Sequence, residues 1–183
     1  MIPSPAVAAG RRARLLGPLL AAALATGCHS DRSTASATIR AYDEELVRAF
    51  RTSDHDGLAA VAAPKEAERI RVLVDMKRAA RVVLESELQA LEVTSATPAG
   101  PDAMTAEARE RWRYHDRPLD PGRPPGTVYV SDMTLRYHLR RDGGAWKVAE
   151  VDTLANHYLE PAGFSPEVRA RQQPHSAQVG HGQ

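Results

Sequence analysis

The 183-residue chain is 43% hydrophobic and 26% charged, with a formal net charge of +1, which suits one domain with ragged ends. A single cysteine excludes an internal disulfide, so the core alone must hold the fold. Three of the 24 basic residues and none of the 23 acidic ones lie in residues 1–27. Without that segment the net charge is about −2, and no compositional case for nucleic-acid binding remains.

Those three residues, Arg11, Arg12 and Arg14, form a basic start to the chain. The apolar run Leu15–Leu24 follows, interrupted by Gly17 and Pro18. It is too short to span about 30 Å of hydrocarbon as a helix and fits the apolar region of a secretory signal. The ending Leu24-Ala25-Thr26-Gly27-Cys28 resembles a bacterial lipoprotein signal. That resemblance implies cleavage before Cys28 and acylation of its thiol, which becomes the membrane anchor. An ordinary cleaved signal with an incidental cysteine is the rival reading. Arg11-Arg12 raises the twin-arginine export route, although Arg14 stands where that signal usually carries an aromatic residue, so the general secretory route is favoured.

Residues 28–38 are small and polar and read as a flexible tether. In the next segment Ile39, Tyr42, Leu46, Val47 and Phe50 fall at helical spacing, with Asp43, Glu44, Glu45 and Arg48 expected mostly on the solvent side and Thr38 as the N-cap. A helical turn over Leu58–Ala63 ends at Pro64, and Ile70, Leu73, Val74 and Ala80 predict a further helix. From Val82 the pattern becomes extended, with a parity switch that predicts a β-bulge near Ala90. After a turn at Pro98–Asp102, Met104, Ala106, Ala108, Trp112 and Tyr114 alternate with polar residues. Helix is the rival there, because Ala, Glu and Arg favour it, but unbroken alternation between two turns indicates a strand. Pro118–Gly126 reads as loop. A strand with Tyr129, Met133, Leu135, Tyr137 and Leu139 inward then leads through a hairpin turn at Asp142-Gly143-Gly144 to a returning strand, on which Trp146 is expected to be buried. From Asn156 to Gln183 a poorly ordered tail is expected.

Helices followed by antiparallel strands indicate an α+β fold, with N-terminal helices packed on a curved four-stranded antiparallel sheet over 39–155. The order of elements, with the stretch "YHLRRDGGAWKVAEVD" (137–152), resembles the NTF2-like (cystatin-like cone) superfamily. With the "ELVRAF" and "ERWRY" stretches it is also similar to a branch of bacterial lipoproteins and to the intermembrane-space domain of plastid-division proteins. The superfamily holds isomerases and dehydratases with acids inside the cone, and many non-catalytic binding modules. The resemblance therefore implies the fold and does not choose an activity.

Strand parity places Glu110 beside Trp112, and Glu150 beside Trp146 and Val148. If those faces line the cone, burial would lift both acids towards general-base values. Pairing with arginines at the sheet rim is the rival reading. Trp112, Tyr114 and Tyr137 would supply walls, or with Met133 and Trp146 fill the cone. Arg109, Arg111 and Arg113 form a stripe on the other face that could dock a partner. Asp54-His55-Asp56 contains metal-ligand residue types, but it also reads as helix-stop chemistry, and no metal or cofactor is expected. The favoured reading is a lipid-anchored envelope module that binds a protein partner or a small apolar ligand. The alternative is a small extracytoplasmic enzyme of the isomerase or dehydratase kind.

Overall fold

The computed structural model describes residues 23–160. The basic start of the chain and most of its apolar run lie outside the described residues, as does the tail beyond Glu160. Three helices, α1 (Ala23–Thr52), α2 (Leu58–Val61) and α3 (Pro64–Ala79), precede four strands, β1 (Val82–Pro98), β2 (Ala103–Pro118), β3 (Tyr129–Asp142) and β4 (Ala145–Glu160). The strands form one antiparallel sheet in the order β1-β2-β3-β4. This is the α+β architecture that helices followed by strands predict.

Helix α1 lies on the sheet through Ala35, Ile39 and Tyr42, all buried, which pack against Met104, Ala106 and Ala108 of β2 and Leu135, Tyr137 and Leu139 of β3. A smaller cluster of Ala49, Leu58, Ile70 and Val74 joins the three helices. The junction between α2 and α3 docks on β4, where the Ala63 N–H donates to the Val148 carbonyl at 2.8 Å. Pro64 opens α3, where its fixed φ and missing N–H cost nothing. Among the described residues no helix is long and apolar enough to cross a membrane.

The structure departs from the sequence reading at both ends of the domain. Residues 29–38, expected to form a tether, continue α1 as regular helix. Ala35 lies one turn before Ile39 and extends its apolar stripe, so it is fully buried. Arg32 reaches across to the Thr94 carbonyl at 2.8 Å. Thr38 is mid-helix, its hydroxyl donating to the Thr34 carbonyl rather than capping. At the other end, β4 runs on to Glu160 because Asn156, His157 and Tyr158 pair with Met133, Asp132 and Ser131. The predicted bulge is present, Gln89 being the unpaired residue between Leu88 and Ala90. Trp146 is half-buried at the edge of the core, with the Arg141 guanidinium 5.0 Å from its ring centre.

Candidate functional site

A cavity of about 320 Å³ opens between α1 and the concave face of the sheet. Helix α1 lines it with Tyr42, Asp43, Leu46 and Phe50; α3 contributes Arg69, and β1 contributes Leu84 and Ser86. Its far wall is β2 and β3, through Glu110, Trp112, Tyr114, Met133, Leu135 and Tyr137, with Val151 and Thr153 of β4 beyond them. Of the two alternatives for Trp112, Tyr114 and Tyr137, walls or filling, they stand as walls, with Met133 beside them and Trp146 not among the lining residues.

Strand β2 delivers Glu110 because its pairing with β3 runs without a bulge from Ala103 to Tyr114. Alternation from Met104 is therefore unbroken, and Glu110 is 3% exposed. Its carboxylate accepts from the Tyr137 hydroxyl at 2.6 Å and from Trp112 Nε1 at 2.7 Å. Burial raises its pKa, and those two donors pull the other way.

Glu150 is not part of the site. Ala149 is an unpaired bulge residue between Val148, opposite Leu139, and Glu150, opposite His138. The extra residue turns the side chains from Glu150 to Thr153 to the opposite face, until a second unpaired residue, Leu154, shifts the register again. Glu150 is thus 57% exposed, 3.9 Å from Lys65, while Val151 and Thr153 face the cavity.

The second acid in the cavity is Asp43, which the sequence reading assigned to the solvent side. It sits four residues after Ile39 and three before Leu46, on the apolar stripe itself, and is 2% exposed. That spacing was the available signal. Its Oδ2 has no hydrogen-bond partner. Burial, and then the nearby Glu110 carboxylate, push its pKa from 3.8 up to about 9; Arg40 and the Tyr137 hydroxyl act in the opposite direction. Asp43 therefore keeps its proton through the neutral range, with Glu110 beside it also shifted upward.

A third buried carboxylate, Glu66 of α3, accepts from the Tyr42 hydroxyl. It also takes Arg69 in a two-pronged bond, at 2.8 and 2.6 Å. Tyr42 and Tyr137 meet edge to face, with centroids 6.3 Å apart. Burial raises both phenols well above their ordinary range, assisted by Glu66 beside Tyr42 and by Asp43 and Glu110 beside Tyr137, so both hydroxyls are donors.

Arg109, Arg111 and Arg113 stand exposed on the opposite face of β2, away from the cavity. Arg111 holds Asp132 through two bonds of 2.7 and 2.9 Å. Its neighbour Arg136 bonds Glu107 at 2.9 Å. The structure therefore brings Glu110, Trp112, Tyr114 and Tyr137 together and separates them from Glu150 and the arginine stripe. Asp54 caps the turn after α1, accepting from the Asp56 N–H and from Arg48. Among the described residues no group of three His, Cys, Asp or Glu side chains is placed to hold a metal.

No protein-family model matches the sequence, and no curated protein matches it. Among solved structures, the fold is similar to the intermembrane space region of chloroplast protein ARC6. The TM-score is 0.63 at 20% sequence identity, over 68% of this chain and 97% of that one. At that identity the likeness is one of fold.

Proposed function

We propose that the protein is a lipid-anchored binding module of the bacterial cell envelope, held to the membrane by acylated Cys28 and facing the periplasm or the cell exterior. Its domain, read as an NTF2-like cone, takes a small apolar ligand into the cavity between α1 and the sheet. The observation that carries the ligand reading is the cavity itself, walled by aromatic rings with two buried carboxyls at its polar end. Its volume lies at the lower end of the roughly 300–1,000 Å³ common for ligand sites. The likeness to a domain from the intermembrane space of another envelope supports an extracytoplasmic setting. The arginine stripe on the outer face of the sheet is free of the cavity and suits an envelope protein partner.

Native mass spectrometry of the protein recovered from its own membranes tests the ligand reading. A co-purifying small molecule is expected, and Met133→Trp, which fills the cavity, should abolish it. Recovery of an empty domain in every preparation, with no small apolar compound raising its melting temperature, would refute it. A second reading, acid–base catalysis of the isomerase or dehydratase kind, is favoured by Asp43, which keeps its proton to about 9 inside that cavity, and by Glu110, shifted upward beside it.

A further inference from the structure

We propose that the cavity binds an organic ammonium ion, its apolar part against the aromatic walls and its N–H donors on Asp43 and Glu110. This assignment rests on the reading of the domain as a small-molecule binder and specifies the ligand class.

Three observations carry it. First, among the described residues no cationic side chain is bonded to either acid, and Arg40 acts on Asp43 only through space. The guanidinium lining the cavity, Arg69, is taken by Glu66 at 2.6 Å, and Arg40 is exposed on the flank of α1. Glu110 is satisfied only by neutral donors, the Tyr137 hydroxyl and the Trp112 indole. Second, Asp43 Oδ2 is buried without a partner. A buried carboxyl oxygen without a hydrogen-bond partner is costly, and once an ammonium group displaces the proton it brings up to three donors to that oxygen. Third, the walls include Tyr42, Trp112 and Tyr137, whose ring faces attract cations within about 6 Å of the centroid.

The other ligand charges fit less well. A carboxylate or phosphate would meet two buried acids and be repelled. A neutral carbonyl could accept one acid's proton but would leave the pair's remaining negative charge without a counterpart. An ammonium ion compensates that charge and displaces the proton that the pair retains, so binding releases a proton. Other titratable groups around the pair are Tyr42, Glu44, Glu66, Arg69, Tyr114 and Tyr137. The tyrosines are held neutral by burial, and Glu66 is already matched with Arg69.

The test is isothermal titration of the full protein with three probes of nearly one shape: 2-phenylethylamine, 2-phenylethanol and 3-phenylpropionate. At neutral pH the amine should bind at least tenfold more tightly than the alcohol, and the acid should not bind. Paired titrations in buffers of different ionisation heat should show proton release with the amine alone. A permanently charged trimethylammonium analogue should bind more tightly as the pH rises from 5 to 8. Asp43→Asn with Glu110→Gln should abolish the preference for the amine while retaining the alcohol; if that pair does not fold, Asp43→Asn alone should lower the preference at least threefold. Equal binding of alcohol and amine would overturn the ammonium assignment and leave the cavity as a ligand site. Failure of all three probes to bind would overturn both readings.

Discussion

Replacing Asp43 by asparagine tests the electrostatics of the cavity. In the unfolded chain Asp43 ionises near its ordinary value of 3.8, whereas in the fold it keeps its proton to about 9. Between those values the native state binds a proton that the unfolded state has lost. Stability therefore falls as the pH rises, the reverse of the usual effect of a paired carboxylate. Each pH unit crossed in that window costs about 1.4 kcal/mol, so going from pH 4 to pH 7 removes on the order of 4 kcal/mol. That is a large part of the roughly 5–15 kcal/mol a domain has. Glu110, also raised, adds in the same direction. Asp54, Glu85, Asp120 and Asp132 are held below the usual carboxylate range by hydrogen bonds, from arginines and, for Asp54, chiefly from a backbone N–H. They withdraw their support only as the pH drops through that lower range. The stability maximum is thus expected near pH 5, with a decline through pH 8. Asparagine keeps the shape of aspartate and cannot ionise, so Asp43→Asn should flatten the decline and make the variant more stable than the parent at pH 8. Urea denaturation across pH 5–9 measures both slopes. A parent protein that gains stability from pH 5 to 8, or a variant with an unchanged slope, would refute the reasoning.

Tyr137→Phe removes one of the two donors to the buried Glu110 carboxylate; a loss of about 1–3 kcal/mol in urea denaturation is expected, larger at pH 8 than at pH 5. Ala35→Leu forces three extra carbons into a fully buried position and should cost about 1–3 kcal/mol, whereas in a flexible tether it would cost nothing; thermal denaturation decides. Cys28→Ala should leave an unprocessed or unacylated protein, and intact-mass spectrometry of the parent should show acyl chains on a chain that begins at Cys28.

How much of this was legible follows from where the chain keeps its period. Strand β2 pairs with β3 without interruption, so counting by twos from Met104 reaches Glu110 correctly. Strand β4 contains the unpaired Ala149. The only mark of it in the sequence is a switch of apolar parity from Trp146 and Val148 to Val151, the kind of signal that reveals the bulge near Ala90 but here lies beside a second small apolar residue. Counting by twos from Trp146 therefore put Glu150 on the wrong face. Asp43 is a different case. Its position on the stripe from Ile39 to Leu46 was readable, but a carboxylate on an apolar stripe is ordinarily rejected as core, and only a cavity with Glu110 opposite makes sense of it. The first turns of α1 were obscured by composition. Ser, Thr and Ala carry little apolar weight, yet Ala35 is small enough to let the helix lie directly on the sheet. The hairpin at Gly143-Gly144 was plain because both glycines take positive φ, +59° and +86°, as a two-residue reversal demands.

Helix α1 is unbroken from before Cys28 to beyond the cavity. Fifteen residues separate Cys28 from Asp43, and at about 1.5 Å per residue the helix spans roughly 22 Å between them. A lipid on Cys28 would accordingly sit at the foot of a mast rather than at the end of a leash. The mouth of the cavity would ride at a set height above the headgroups, with its bearing fixed by the tilt of one rod.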